Sequence, residues 1–187
     1  MGSSYRKVIE NPSSKDYYSQ HGDTMTLSMQ AEADMRLEKL EGSLIDTITY
    51  PYAYPNITTS ATYTVNNIQL DQTFKAYYKK IMHDVTITYR TVDKNGFLMA
   101  DQGAIYYNGA KLDSGSVTPH WQNRESPKYT WSVFNNAYII SQVTIDGVNQ
   151  VLPIFETTFD EIKRPHTIEV VFERKPSTDT LFFGGGL

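Results

Sequence analysis

Short runs in which apolar and polar side chains alternate recur along most of the chain. The clearest are TMTLSMQ at 24–30, VTITYRT at 85–91, KYTWSVF at 128–134 and TIEVVFE at 167–173. A period of two places the apolar side chains on one face of an extended segment, which is the pattern of a half-buried β-strand. The alternation therefore predicts a fold made mainly of strands.

Turn signals lie between these runs. Three dipeptides combine a residue that tolerates positive φ with a glycine: Asn95-Gly96, Asn108-Gly109 and Asp146-Gly147. Such pairs favour the tight turns of β-hairpins. Strands at this spacing, with turn signals between them, indicate an all-β sandwich or barrel.

One segment, AEADMRLEKLEG at 31–42, departs from the alternation because it is rich in strong helix formers. Its apolar positions follow helical spacing, and Gly42 is a natural helix stop. We predict a short helix that is too short to form a coiled coil alone and must dock on another surface. The docking surface is either its own domain or a subunit interface, which makes three residues candidate subunit contacts: Leu37, Leu40 and Leu44.

An internal repeat is visible when residues 63–80 are aligned without a gap over residues 157–174. The identical positions are Thr64 and Thr158, Ile68 and Ile162, and Thr73 and Thr167. The alternation stays in phase, and a slip of one residue would turn every inward side chain outward. The repeat predicts two cores, one lined by Phe74, Ala76 and Tyr78 and the other by Ile168, Val170 and Phe172.

The stretch KYTWSVFNNAYIISQVTIDG, followed by HTIEVVFERK, resembles the β-repeats of bacterial surface proteins related to the internalin B-repeat. The resemblance covers about residues 82–175, and the last part of the motif recurs at 63–80. Ala137 stands where that family usually has glycine. The resemblance implies small β-sandwich or β-grasp-like modules, of the kind found in adhesins and in phage virion proteins, and it assigns no functional residue.

These patterns predict an all-β protein with one or two small β-sandwich or β-grasp-like repeat modules, an N-terminal arm and a short helix. The expected parts are an arm with an anchoring helix at 1–43, a partial β module at 44–81, a second module at 82–175 and a tail at 176–187. The tail carries three large apolar side chains beside three glycines, and such side chains are expected to pack against a surface that shields them from water. We expect this surface on a neighbouring subunit, which adds Leu181, Phe182 and Phe183 to the candidate subunit contacts.

Composition narrows the classes of function. The net charge of −4 argues against a general binder of nucleic acid or anionic membranes. No stretch approaches the roughly 18 apolar residues that a membrane span needs, so no membrane insertion is expected. The absence of cysteine excludes disulfides, zinc–thiolate sites and thiol nucleophiles.

Motifs for catalysis are lacking in the sequence. The four histidines are scattered, and there is no Gly-x-Ser-x-Gly elbow and no phosphate-binding glycine loop. We therefore predict neither an enzyme nor a bound metal or cofactor.

Exposed aromatic residues are the candidate ligand contacts. Trp131 lies in phase within a strand and is predicted to be core, whereas Trp121 lies in the polar stretch TPHWQNRESP. The segment TYPYAYP at 49–55 is predicted to be either an edge strand or a contact patch, since proline removes a ladder donor and tyrosine offers contact area. The candidates are Trp121, Tyr50, Tyr52 and Tyr54.

The sequence favours a non-enzymatic structural protein of a large assembly, in particular a bacteriophage virion component such as a head fibre, decoration or collar or tail-associated protein. Its expected partners are other virion proteins and further copies of itself, and its expected location is the virion. One alternative is a carbohydrate- or host-surface-binding module that uses Trp121 and the tyrosines. Another is a fragment of a bacterial surface adhesin.

Overall fold

A computed structural model describes residues 22–176, together with the backbone of residues 4–10. Within those residues the chain folds into β-strands and contains no α-helix, which confirms the all-β prediction. The chain divides into two compact units. Unit 1 is Met1–Met82 with Trp121–Arg124, and unit 2 is His83–His120 with Glu125–Leu187.

The strands of unit 1 form two three-stranded sheets, with orders β1-β2-β5 and β4-β3-β6. Strand β1 runs parallel to β2, and the other neighbours are antiparallel. The strands are β1 Ser4–Glu10, β2 Thr24–Gln30, β3 Met35–Gly42, β4 Ile45–Thr49, β5 Ser60–Val65 and β6 Phe74–Lys80.

The core of unit 1 takes side chains from both of its sheets. Met29 of β2 and Leu37 and Leu40 of β3 are fully buried at its centre. Partly buried side chains from the other strands pack around them, among them Ala61 and Tyr63 of β5. Alternation in β2, β5 and β6 thus turns one face of each strand towards this cluster.

The helix predicted over 31–42 is wrong, because residues 35–42 form strand β3. Its pairing with β6 shifts register between Leu37 and Lys39, which is the mark of a β-bulge. The extra residue of a bulge puts side chains three positions apart on the same face of a strand. Leu37 and Leu40 therefore face the same core, and their spacing imitates that of a helix.

Unit 2 has two larger sheets, with orders β10-β9-β12-β15 and β11-β7-β16-β13-β14, and β8 pairs with β7. Strand β16 lies between β7, to which it is parallel, and β13, to which it is antiparallel. The strands are β7 Met82–Val92, β8 Leu98–Met99, β9 Gly103–Tyr107, β10 Ala110–Leu112, β11 Val117–Trp121, β12 Lys128–Val133, β13 Tyr138–Ile145, β14 Val148–Asn149, β15 Glu156–Thr158 and β16 His166–Arg174.

The predicted hairpin turns are present in unit 2. Asn108 and Gly109 both have positive φ and join β9 to β10, and Asp146 and Gly147 do the same between β13 and β14. Asn95-Gly96 lies in the longer connection from β7 to β8. All three turn predictions are confirmed.

The core of unit 2 also takes side chains from both of its sheets. Trp131 of β12 is almost fully buried there, which confirms its predicted place in the core. Gly103 of β9 lets the ring of Phe172 lie directly against the backbone, because a Cβ at position 103 would lie 2.6 Å from that ring. The other buried members of the cluster are Val85, Ile87, Tyr89, Ile105, Tyr129, Val143, Ile162, Ile168 and Val170.

The two units share one pattern of strand pairing. In unit 1, β6 pairs with β3 from Met35 with Lys80 to Gly42 with Phe74, and in unit 2, β16 pairs with β13 from Tyr138 with Arg174 to Ile145 with Ile168. The register shifts of β3 and β13 occur at corresponding pairs, after Leu37 with Tyr78 and after Ile140 with Phe172. As predicted, two separate cores are lined by Phe74, Ala76 and Tyr78 and by Ile168, Val170 and Phe172.

Candidate functional site

Trp121 lies in unit 1 among charged side chains. Its indole Nε1 donates a hydrogen bond to the carbonyl oxygen of Asp34 at 3.2 Å. The Lys80 Nζ lies 3.8 Å from the ring centroid, and the Arg124 Cζ lies 5.4 Å from it, so two cations contact the ring. Trp121 is half-buried, and its role as a ligand contact stays a prediction.

Asp34 forms an ion pair with Arg124 that the sequence analysis did not find. The Arg124 Nε donates to Asp34 Oδ2 at 2.5 Å, and Asp34 is buried while Arg124 is exposed. This hydrogen bond holds the pKa of the Asp34 carboxyl below its usual value, although burial acts in the opposite direction. The pair holds residues 121–124 against the start of β3, and no pattern in the sequence links positions so far apart.

The tyrosine segment forms a loop between β4 and β5 rather than an edge strand. Tyr50 packs against the unit 1 core, whereas Tyr52 and Tyr54 are 42% and 46% exposed. The Tyr52 hydroxyl donates to the carbonyl of Met82, and the Arg36 guanidinium lies 5.0 Å from the Tyr52 ring. The proposed contact surface on this loop therefore reduces to Tyr52 and Tyr54.

Unit 2 contains a buried polar network around His120. The Nδ1 atom lies 2.7 Å from Glu125 Oε2, and the Nε2 atom lies 2.8 Å from the Tyr129 hydroxyl and 3.3 Å from Thr118 Oγ1. Burial raises the pKa of Tyr129 to about 12, although its hydrogen bond with Thr118 opposes the rise. An acid, a histidine and a hydroxyl in a row are the parts of a nucleophilic site. Tyr129 is fully buried, however, so a substrate cannot reach its oxygen.

A second polar cluster in unit 2 fixes the β13–β14 turn. Asp146 accepts hydrogen bonds from the Thr167 amide at 2.9 Å, from His166 Nδ1 at 2.7 Å and from Arg164 Nη2 at 2.7 Å. Burial raises the pKa of Asp146, but the Thr167 amide and the His166 and Arg164 side chains outweigh it, and the net shift is downward. His166 thus caps a turn, as its position at the start of a strand suggests.

Each of these two clusters joins one histidine to one carboxylate, which is fewer ligands than a metal site needs. Among the residues that the structure describes, no group of three or more His, Asp or Glu side chains is arranged to hold a metal ion. The same residues include no helix with the length and apolar character that crossing a bilayer requires.

An apolar cavity of about 320 Å³ opens on unit 2. It lies between the end of β12, the start of β13 and the loop 150–155. The apolar run VLPIF at 151–155 lies outside any strand, and it is the feature of the sequence that could have predicted this cavity. The lining residues are Ser132, Val133, Tyr138, Ile139, Ile140, Leu152, Pro153, Ile154 and Phe155.

The candidate subunit contacts that the structure describes differ in burial. Leu37 and Leu40 are fully buried inside unit 1, so they serve its core and are not available to another subunit. Leu44, in the β3–β4 turn, is 57% exposed and remains a candidate. The other three, Leu181, Phe182 and Phe183, lie outside the described residues.

Comparison of the chain with protein-family models, with curated proteins and with solved structures finds no match. The assignment of function therefore depends on the geometry of the two units.

Proposed function

We propose that the chain is a non-enzymatic structural protein of a large assembly, such as a bacteriophage virion, built from two related β-sandwich modules. The observation that carries the proposal is the shared pairing pattern, in which β3 with β6 and β13 with β16 match pair by pair, including the bulge. Repetition of one small β module is a common way to build extended proteins from units that fold on their own cores.

The polar side chains that bind one another inside each unit support this proposal. Asp34 binds Arg124, Asp146 binds His166, and His120 binds Glu125, each within one unit. These contacts hold loops and turns against strands, which is the use that a scaffold makes of buried polar groups.

The contact with the assembly falls on the surface of unit 1. Strands β2 and β3 supply its core, so the residues of these two strands cannot act as a separate helical anchor. Leu44, in the turn between β3 and β4, is our candidate contact, because a partner that covered its exposed side chain would remove apolar area from water.

The test is to follow the chain in purified particles from its source. An antibody against the full chain, used with immunogold microscopy and mass spectrometry across a density gradient, should detect it at a fixed ratio to the main particle proteins. Detection in the cell envelope with no particle would favour the adhesin, and detection only in free soluble fractions would contradict an assembly role.

The contact residue is tested by sedimentation. If Leu44 joins copies or partners, Leu44→Ser should lower the apparent mass of the complexes that the full chain forms. Val117→Ser is the matched control, because Val117 is an apolar side chain of unit 2 with 50% exposure. Equal behaviour of the two variants would remove Leu44 from the contact.

The alternative of a glycan-binding module is favoured by the exposure of Tyr52 and Tyr54. In that case Tyr54→Ala should abolish binding on a glycan array. Phe134→Ala provides the control, since Phe134 is a similarly exposed aromatic residue of unit 2. An array on which the unmodified chain binds no glycan excludes this alternative.

A further inference from the structure

Strand β6 of unit 1 has an edge that no described strand covers. It ends the order β4-β3-β6, so among the residues that the structure describes its one strand neighbour is β3. Just before β6, the Thr73 carbonyl accepts a hydrogen bond at 3.0 Å from the amide of Ser43, which follows β3. Main-chain groups point to alternate sides along a strand, so those of Phe74 and Ala76 point away from β3, towards the uncovered edge.

Unit 2 shows which kind of strand belongs at this edge. Strands β2 to β6 match β12 to β16 in order and pairing, and β1 lies beside β2 where β9 lies beside β12. Strand β7 runs parallel to β16, and within the described residues nothing takes its place beside β6. Ile168 of β16, which matches Phe74, pairs with Ile87 of β7. The comparison therefore predicts a parallel strand with alternate apolar side chains beside β6.

Charge on the outer face specifies this strand further. In unit 2 the outer face of β16 carries Glu169 and Glu173, and the register of β7 places Arg90 between them. Opposite charges on neighbouring strands attract one another. The matching positions of β6 hold Lys75 and Lys79, so the sign is reversed. A carboxylate at the Arg90 position of an added strand would lie between these two lysines.

The same lysines disfavour a second copy as the added strand. Lys79 contacts Glu38, and none of the described residues forms an ion pair with Lys75. The neighbouring face of β3 carries two positive and two negative side chains, which are Arg36, Lys39, Glu38 and Glu41. The lysines of β6 thus leave the face positive. Two β6 strands paired antiparallel about Tyr77 would place Lys75 of one copy opposite Lys79 of the other, and like charges in that position repel.

We propose that the open edge of β6 binds an extended segment of a partner protein as an added parallel strand. The segment carries apolar side chains at alternate positions, facing the core of unit 1, and an Asp or Glu between Lys75 and Lys79 on the outer face. In strand addition, main-chain hydrogen bonds, here to Phe74 and Ala76, supply the affinity, and the alternate side chains supply the specificity. This inference does not depend on the assembly role.

Peptide binding to the full chain provides the first test. The probe is the β7 stretch VTITYRTV, made as a peptide with Arg90→Asp, and the unchanged peptide is its control. In fluorescence anisotropy the Asp peptide should bind about five- to tenfold more tightly, because it replaces repulsion by attraction at both lysines. Equal affinities, or the failure of both peptides to bind, would overturn the proposal.

A charge exchange on the protein assigns this preference to β6. Lys75→Glu with Lys79→Glu should reverse the order of the two peptides, so that the unchanged peptide binds more tightly. Lys94→Glu with Lys163→Glu changes the net charge by the same amount at exposed positions of unit 2 and should leave the order as it is. A preference that survives the β6 exchange would contradict the proposal.

Hydrogen exchange measured by NMR locates the added strand. In the free chain the Phe74 and Ala76 amides should exchange at least about tenfold faster than those of Ile168 and Val170, which face β7. Asp peptide at about ten times its Kd should slow the first pair about tenfold and leave the second pair unchanged. Equal protection of both pairs in the free chain would show that the edge is already covered. Protection that appears only on dimerisation would assign the edge to a second copy, and either result would overturn the proposal.

Discussion

Strand β6 of unit 1 pairs with β3 in the same register in which β16 of unit 2 pairs with β13. The two strands differ in what lies on their other side. On its other side β16 has β7, from His166 with Val85 to Glu173 with Val92. Strand β6 ends the order β4-β3-β6 among the described residues. Phe172 and Ile168 are accordingly fully buried, whereas Tyr78 and Phe74, at the matching positions, are only partly buried. The same alternation thus sets which face is buried, and the neighbouring strand sets how deeply.

The two cores also differ in polarity at matching positions. Leu27 pairs with Tyr63 in unit 1 where Tyr129 pairs with Thr157 in unit 2. Leu27 is an apolar core residue, whereas Tyr129 brings a hydroxyl that bonds His120. One pairing pattern therefore accepts either an apolar side chain or a satisfied polar network at its centre.

The largest expected difference between the units follows from burial. Phe172→Ala should lower the free energy of unfolding of unit 2 by about 3–5 kcal/mol, because it removes a fully buried ring. Tyr78→Ala, at the matching position, should cost unit 1 clearly less. Denaturant titration, followed by hydrogen exchange of each unit, measures both, and equal losses would refute the role given to β7.

A smaller effect is expected from the polar network. Tyr129→Phe should lower the free energy of unfolding by about 1–3 kcal/mol, because it deprives buried His120 of a hydrogen-bond partner. Tyr63→Phe in unit 1 is the control and should change stability by less than about 0.5 kcal/mol. The same denaturant titration applies, and a neutral Tyr129→Phe would show that the network contributes nothing to unit 2.

The smallest effect concerns acid stability. The Asp34 pKa is lowered in the folded protein, chiefly by Arg124, so its stabilising contribution is present above the usual carboxyl pKa. That contribution is lost as the pH falls through the lowered value. Asp34→Asn should therefore lower the free energy of unfolding of unit 1 at neutral pH. It should also make that free energy depend less on pH. Denaturant midpoints at pH 7 and pH 3 check this, with Asp146→Asn as the counterpart in unit 2, and an unaltered pH dependence would contradict the assignment.

The sequence alone predicts where the strands and turns lie better than it predicts which distant segments of the chain come into contact. Alternation around Ile168 and the turn at Asp146-Gly147 are local signals, and both predictions hold. The error at Leu37 and Leu40 also has a local origin, because a bulge gives a strand the spacing of a helix. The ion pair of Asp34 with Arg124 depends on which distant segments meet, and no local pattern carries that information.

The short segment Trp121–Arg124 has a consequence for how this protein can be divided. The chain completes most of unit 1, enters unit 2, supplies four residues to unit 1 and returns. A fragment that ends at Met82 would lack the guanidinium that pairs with Asp34 and the indole that binds the Asp34 carbonyl. Residues 1–82 alone are therefore an incomplete unit, because unit 1 takes its last four residues from a later part of the chain.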